Sequence, residues 1–182
     1  AERIRSRRKA ERNRYNPKIM RLEYILPFEK TVLERCRQEN IDPLFLYAVM
    51  FQESKYNPHA VSPASAMGLM QFIEKTGSNV AKWLNITDFQ KKHLFDYKIS
   101  ISLSARLLSY LLNQRMSPYF ALAEYNGGDK RTDRWMEKCP DRKSDIFCTE
   151  FIDSKETRLY VKKIMGYYYT YHWLYGGFKN GK

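Results

Sequence analysis

Residues 42–54 read DPLFLYAVMFQES, an apolar segment that begins with a helix start signal and ends on an acid. Asp42 can cap a helix with its side chain, and Pro43 fits the first helical turn. Two apolar stripes follow at helical spacing, so little of this helix can face water. They consist of Leu46, Val49 and Met50 in line with Glu53, and of Leu44, Tyr47, Ala48 and Phe51. The segment predicts a helix that is buried on more than one side.

Glu53 closes this helix, and polar, loop-forming sequence follows it at once. Burial would remove water from the carboxylate, and the negative end of the helix dipole would lie beside it. Both effects favour the protonated form, so we expect a raised pKa for Glu53. A general acid needs such a pKa. The alternative is a glutamate at a frayed helix end that points into water.

Further motifs follow the helix in a particular order. Glu53-Ser54 with Ser62-Pro63 comes first, and the other three are Gly68-Leu69-Met70-Gln71, Tyr125-Asn126-Gly127, and Glu156-Thr157-Arg158 with Tyr160-Val161. Taken together, they resemble the SLT-type catalytic domain of family 1 lytic transglycosylases, which belongs to glycoside hydrolase family 23 in the lysozyme-like superfamily. The resemblance covers roughly residues 22–171, nearly the whole chain apart from its basic N-terminal arm.

Helical patterns recur along the chain and are joined by stretches that contain Pro, Gly, Asn or Ser, without a convincing strand. The predicted helices span residues 22–39, 42–54, 68–83, 97–114, 118–126, 130–138 and 156–175. This pattern predicts an all-α domain, and the resemblance implies a lysozyme-like SLT fold. The 182 residues suffice for one domain with a proper core. We expect a catalytic domain over residues 21–182 and a flexible basic arm over residues 1–20.

The formal net charge of +12 implies attraction to anionic surfaces. Much of the excess lies in an N-terminal stretch with few apolar residues, namely Arg3, Arg5, Arg7, Arg8, Lys9, Arg12 and Arg14. It predicts a solvated linker or juxtamembrane tail, with docking to cell wall or membrane as the alternative. Aromatic platforms do not interleave with the charge, so nucleic acid is not a predicted partner.

Two sequence features concern the cellular compartment. No apolar run approaches the roughly 20 residues that span a bilayer, and the chain starts without a hydrophobic signal segment. Because the first residue is Ala1, a removed signal peptide or anchor stays an open alternative. Cys139 and Cys148 bracket a short polar loop, whereas Cys36 sits in a predicted helix. We expect a Cys139–Cys148 disulfide in an oxidising compartment, with two unpaired thiols as the alternative.

The resemblance implies a reaction with a single catalytic carboxyl group, that of Glu53. It would protonate the glycosidic oxygen between N-acetylmuramic acid and N-acetylglucosamine, while the substrate's acetamido group stabilises the positive C1. The resulting carboxylate would then take the proton of the C6 hydroxyl, which closes on C1 to give a 1,6-anhydromuramyl end. The implied substrate is the peptidoglycan glycan strand, and the implied location is the bacterial envelope, in the periplasm. We expect a monomer without a cofactor. A metal is not expected either, since no Cys/His cluster has zinc-site spacing.

The resemblance also implies substrate-binding roles for Ser62, Gln71, Tyr125, Asn126 and Glu156. Tyr125 matches a tyrosine whose hydroxyl points at the catalytic glutamate. Simpler interpretations exist for three of these residues. Ser62 could be a turn serine before proline, Gln71 an exposed polar residue on a helix, and Glu156 a first-turn acid favoured by the helix dipole.

Three residues are expected to shape the site rather than contact the sugar. Gly68 would permit close backbone approach, Met70 would pack, and Gly127 would complete the Tyr125-Asn126 motif. The chain departs from the family pattern at Ser65, where a glycine is common, and at Gly127-Gly128-Asp129.

Glu124 is the departure that bears on the reaction, because the family usually has a small residue there. Facing the groove, it could serve as a second carboxylate and permit hydrolysis by water. As a helix neighbour of Tyr125 it should point about 100° away, so we expect a solvated or salt-bridged side chain. Two alternatives follow for the whole chain. One is a lysozyme-type muramidase, and the other is a catalytically silent wall-binding or scaffold protein.

Overall fold

The computed structural model describes residues 16–139 and 144–176. Its α-helices are α1 Pro17–Glu23, α2 Glu29–Glu39, α3 Pro43–Ser54, α4 Glu74–Trp83, α5 Tyr97–Arg115, α6 Pro118–Gly127, α7 Asp129–Lys138, α8 Asp145–Cys148 and α9 Lys155–Tyr175. Two short 3-10 helices span Lys91–Phe95 and Thr149–Phe151. Within these ranges the β-structure amounts to isolated bridges from Met67 to Val61 and to Phe72. The all-α prediction is confirmed.

Helix α3 is buried along most of its length, as its two apolar stripes predict. Every residue from Leu44 to Phe51 is buried. The Asp42 carboxylate accepts a hydrogen bond from the Leu44 backbone N–H at 2.8 Å, which caps the helix start. Lys55 adopts a left-handed conformation with φ 51° and ends the helix just after Ser54. The predicted helix over residues 42–54 is therefore confirmed.

Within the described residues, the contact between α3 and α9 is the most extensive between any two helices. Near the start of α3, Asp42 Oδ2 accepts a hydrogen bond from the Tyr168 hydroxyl at 2.8 Å and lies 2.9 Å from His172 Nε2. At the opposite end of α3, the Tyr160 hydroxyl donates to Glu53 Oε1. Both ends of α3 are thus held by α9.

The structure corrects two of the predicted helices. The single helix over 22–39 is in fact α1 and α2, because the chain leaves α1 at Tyr24 and enters α2 through Phe28, whose left-handed φ of 58° interrupts a right-handed helix. The helix over 68–83 begins only at Glu74, because Gly68 and Gln71 also have positive φ values. Both errors come from backbone conformations that helical periodicity does not report.

The predicted N-terminal arm overlaps the described structure only at its end. Pro17–Met20 belongs to α1, so these last residues of the 1–20 segment are helical, and Asn16 caps the helix through the Lys18 N–H. The arginines and lysine of the arm, from Arg3 to Arg14, lie outside the described residues. No helix in residues 16–139 and 144–176 is long and apolar enough to cross a membrane.

Cys139 and Cys148 form a disulfide that joins the end of α7 to the end of α8. Cys36 is a free, buried thiol in α2. Burial raises the pKa of Cys36 well above its ordinary value, so this thiol stays protonated.

Candidate active site

One groove of about 1050 Å³ brings together residues that lie far apart in the sequence. Its sides come from the end of α3, the irregular segment over residues 62–73, helices α4 and α5, the end of α6 and the start of α9. The substrate-site residues expected from the sequence all line it together with the catalytic candidate, namely Glu53, Ser62, Gln71, Tyr125, Asn126 and Glu156. A groove of this volume can hold part of a chain-like substrate.

Glu53 lies near the end of α3, just after the buried apolar residues of that helix. Its side chain is partly buried, and burial raises its pKa from an ordinary 4.5 to about 7. A hydrogen bond from Tyr160 opposes that shift without cancelling it. The expected raised pKa of Glu53 is confirmed, and the carboxyl group can both release and accept a proton near neutral pH.

The hydroxyl that reaches Glu53 belongs to Tyr160. Its oxygen lies 2.5 Å from Glu53 Oε1. Tyr125, whose hydroxyl the resemblance expects to point at the catalytic glutamate, donates to the Met70 backbone carbonyl at 3.0 Å. The Glu53 charge still raises the pKa of Tyr125 after the larger effect of burial, so Tyr125 lies within its electrostatic reach. Tyr125 lines the same groove as Glu53, and its role toward the glutamate stays a prediction.

The pKa of Tyr160 is raised well above its ordinary value, first by burial and then by the Glu53 charge. Its hydroxyl therefore keeps its proton and acts as a donor toward the carboxylate. Tyr160 belongs to one of the sequence motifs, but its contact with Glu53 was not predicted. The two residues are 107 positions apart, and nothing in the local spacing shows which face of α9 meets α3.

The segment over residues 62–73 is held against the end of α3 by side-chain hydrogen bonds. Ser54 Oγ donates to the Leu69 carbonyl at 2.8 Å. Gln71 Nε2 donates to the carbonyls of Ala60 and Gly68 at 3.2 and 2.9 Å. Gln71 is thus a turn residue with φ 50°, and the interpretation of it as an exposed helix residue is wrong.

Ser62 closes the first turn of the same segment. Its Oγ accepts a hydrogen bond from the Ala66 N–H at 3.0 Å, and its backbone N–H donates to the Ala66 carbonyl at 2.9 Å. The turn role therefore exists, and it uses a lone pair of the hydroxyl oxygen. A serine that accepts in this way still has its own proton to donate.

Three residues shape the groove through close packing, and one of them, Gly127, also lines it. Gly68 has φ 76°, and a Cβ there would lie 1.8 Å from the Leu94 carbonyl oxygen, so only glycine fits. Met70 is fully buried, as expected for a packing residue. A Cβ on Gly127 would lie 2.9 Å from the ring of the buried Trp135, so this glycine lets the end of α6 approach that ring closely.

Asn126 and Glu156 are exposed on the groove surface, at the end of α6 and the start of α9. Glu156 stands in the first turn of α9, where the positive end of the helix dipole favours an acid. Both of its interpretations are therefore compatible with its position. The neighbouring Thr157 is buried, and Arg158 Nη1 donates to the Ile152 carbonyl at 2.9 Å, so the two residues after Glu156 fix the helix start.

Glu124 lines the groove, but its carboxylate is bound to Arg115. Arg115 Nε donates to Glu124 Oε2, and Nη1 of the same guanidinium donates to Asp133 Oδ1. The predicted salt-bridged state of Glu124 is confirmed. Arg115 links the end of α5 to α6 and α7, and the sequence gives no local signal of this role.

With this geometry established, comparison with known proteins defines the class of the domain. Residues 30–147 match the model of the Transglycosylase SLT domain family, which is more than half of the chain, and the chain therefore belongs to that family. Two curated relatives are soluble lytic murein transglycosylases, from Salmonella typhimurium and Escherichia coli. The first is 32% identical over 133 residues and the second 31% identical over 137 residues. These matches cover 72% and 73% of this chain, but this chain spans only 21% of either relative.

Solved structures agree in fold. The 70-kDa soluble lytic transglycosylase from Escherichia coli has a TM-score of 0.81 and 27% identity, with 87% of this chain and 26% of that chain covered. A complex of the 70-kDa soluble lytic transglycosylase with bulgecin A has a TM-score of 0.79 and 28% identity, with 85% and 26% covered. The lysozyme-like SLT fold implied by the sequence motifs is confirmed.

Proposed function

We propose that this protein is a peptidoglycan lytic transglycosylase that cleaves the β-1,4 bond between N-acetylmuramic acid and N-acetylglucosamine, with Glu53 as its single general acid and base. The observation that carries the proposal is a carboxyl group with a pKa of about 7 in a groove that the motif residues line together. Relatives of the domain are named lytic murein transglycosylases, which supports this substrate.

In the first step, protonated Glu53 donates its proton to the glycosidic oxygen as the bond from that oxygen to C1 breaks. N-acetylglucosamine leaves as an alcohol, and C1 becomes positive. The acetamido oxygen of the substrate's own muramic acid stabilises C1, so no second carboxylate is required. Burial supports this step because it keeps a large fraction of Glu53 protonated at neutral pH.

In the second step, the Glu53 carboxylate removes the proton of the C6 hydroxyl, and the C6 oxygen bonds to C1. The product is a 1,6-anhydromuramyl end, and Glu53 recovers its proton, so no water is consumed. The Tyr160 hydroxyl donates a hydrogen bond to the carboxylate and stabilises it between the two steps. The chemistry thus needs a carboxyl group that alternates between two charge states, without a cofactor or a metal.

Three of the other groove residues would contact the glycan strand, and two would shape the groove. Ser62 can donate its hydroxyl proton toward an acetamido or sugar oxygen, because the turn uses only its acceptor capacity. Asn126 and Glu156 offer exposed polar groups on the groove surface. Gln71 and Tyr125 would act by shaping the turn over residues 68–71, since their hydrogen-bonding groups contact its backbone.

The lysozyme-type alternative requires a group that directs water to C1. Glu124 is the groove residue considered for that role, and its carboxylate is engaged by Arg115. This ion pair favours the transglycosylase over the muramidase. We also propose that the domain acts as a monomer in the periplasm, which fits the Cys139–Cys148 disulfide. Relatives include soluble and membrane-bound transglycosylases, and docking of the basic arm to wall or membrane is part of the same proposal.

Mass spectrometry of muropeptides released from purified peptidoglycan tests the function. The wild type should release 1,6-anhydromuramyl products, and Glu53→Gln should abolish them. Glu137→Gln, an exposed acid on α7 outside the groove, is the matched control and should leave release unchanged. Free reducing ends in place of anhydro ends would establish the muramidase. No release by the wild type would leave the wall-binding or scaffold protein.

A further inference from the structure

Two exposed aromatic side chains, Trp83 and Tyr110, contact each other on α4 and α5, two helices that also line the groove. Trp83 is the last residue of α4, and Tyr110 lies in the C-terminal half of α5. Their ring centroids are 5.1 Å apart, and the ring planes are tilted by 49°. The residues are 44% and 45% exposed. Adjacent large rings that stay this exposed are typical of a contact surface.

Helical spacing places this pair in line with the groove. On α4, Thr76 and Asn79 line the groove, and Trp83 lies one turn beyond Asn79 on the same face. At 1.5 Å per residue, this step is about 6 Å along the helix. On α5, Leu107 lines the groove, and Tyr110 lies three residues further along. Since α4 and α5 pack against each other, the aromatic pair extends the same side of the groove.

On the basis of the proposed function, we propose that Trp83 and Tyr110 form a distal subsite that binds a sugar ring of the glycan strand away from the bond that Glu53 cleaves. A pyranose ring presents C–H groups on its faces, and these pack against the π face of an aromatic ring. The two tilted rings offer one face for stacking and a neighbouring surface for a second contact. They carry no charge to pair with the carboxylates of a peptide stem, so the sugar is the occupant that their chemistry matches.

A second exposed tryptophan provides the matched control. Trp173 on α9 is 56% exposed. The groove residue of that helix is Glu156, and Trp173 lies about 25 Å further along the helix axis. Removing Trp173 therefore removes an exposed indole of the same kind without touching the groove.

Binding of glycan strands of defined length tests the subsite. Peptide-free strands of two, four and six sugars are titrated against the Glu53→Gln protein, which is used so that the strands stay intact. Trp83→Ala and Tyr110→Ala are each added to it, with Trp173→Ala as the control and circular dichroism as a check on folding. We expect Trp83→Ala and Tyr110→Ala each to weaken binding of the longest strand by roughly 5- to 10-fold and to leave the affinity for the shortest strand unchanged. Trp83→Phe should restore most of the loss.

A loss of the same size for short and long strands would overturn the subsite, because the effect would then be on the whole groove. Equal affinity of all variants for the six-sugar strand would overturn it as well, as would the same loss in Trp173→Ala. A parallel titration with strands that carry peptides would overturn the sugar subsite if the loss appeared only there. If the Glu53→Gln parent bound no strand at all, the proposed function itself would fall and the subsite with it.

Discussion

Glu53 shows which properties of a single residue can be predicted from sequence. Its raised pKa follows from local features. Residues 42–54 show two apolar stripes, which predict burial, and they show that Glu53 lies at the end of the helix. The identity of its hydrogen-bond donor is not local. Both Tyr125 and Tyr160 lie in the motifs, and only the packing of α9 on α3 decides that Tyr160 makes the contact.

The pKa of Glu53 has a consequence for stability. Because its folded-state pKa is about 7 against an ordinary 4.5, the folded protein binds this proton more tightly than the unfolded chain does. Its contribution to the free energy of unfolding should therefore fall as the pH rises from about 4.5 to about 7 and stay constant above that. Glu53→Gln removes this loss, so the variant should be more stable than the wild type by up to about 3 kcal/mol at pH 8.

Urea unfolding at a series of pH values measures this difference. The gain in Glu53→Gln should shrink toward acid pH, where the wild-type carboxyl group is protonated in both states. Glu137→Gln, an exposed control, should show no such trend. A gain in Glu53→Gln that does not change with pH would contradict the assignment of the raised pKa to Glu53.

Tyr160→Phe should change the pH dependence of catalysis. Loss of the hydroxyl removes the hydrogen bond that lowers the pKa of Glu53, so this pKa should rise and the alkaline limb of kcat/KM should move to higher pH. The carboxylate loses a charge-assisted hydrogen bond, so kcat should fall by about tenfold.

Muropeptide release at a series of pH values provides the measurement for Tyr160→Phe. Tyr97→Phe is a control, because the ring of Tyr97 stacks on Phe28 outside the groove. A lower rate without a shift of the limb would mean that Tyr160 acts on something other than the charge state of Glu53.

At the scale of elements, helices with strong apolar periodicity were predicted within a residue or two, as α3, α5 and α9 show. The segment before α4 was predicted wrongly as helix, because Gly68 and Gln71 have positive φ values. Gln71 is held by a hydrogen bond to the Ala60 carbonyl, and Gly68 packs against the Leu94 carbonyl. The apolar pattern over residues 68–73 continues that of a helix, whereas the backbone forms the turn that lines the groove. Sequence therefore located the site on the chain but not its backbone shape.

Gly68→Ala tests the importance of that turn. The added Cβ would meet the Leu94 carbonyl oxygen at 1.8 Å, in a backbone conformation that disfavours any side chain. We expect a loss of about 3 kcal/mol or more in the free energy of unfolding. Gly166→Ala is the matched control in the interior of α9, where a Cβ meets nothing within 4 Å, and it should stabilise by about 0.5–1 kcal/mol. Chemical denaturation measures both, and equal effects would contradict the close approach at Gly68.

At the scale of the whole molecule, the Cys139–Cys148 disulfide closes a loop between residues nine positions apart. A loop of this length constrains the unfolded chain, so reduction should lower the free energy of unfolding by roughly 2–3 kcal/mol. Thermal unfolding with and without dithiothreitol measures this change. A double Cys139→Ser, Cys148→Ser variant should be insensitive to the reductant, whereas Cys36→Ala should keep the sensitivity. A wild-type melting temperature that ignores the reductant would contradict a stabilising bond.

The hydrogen bonds that α9 makes to both ends of α3 also bear on the position of Glu53 in the groove. Tyr168 and His172 meet Asp42 at one end, and Tyr160 meets Glu53 at the other, so the two helices cannot hinge apart without breaking contacts at both ends. Glu53 therefore lies where two helices are fixed to each other. A change in the width of the groove that keeps these hydrogen bonds intact would therefore leave Glu53 in place relative to α9.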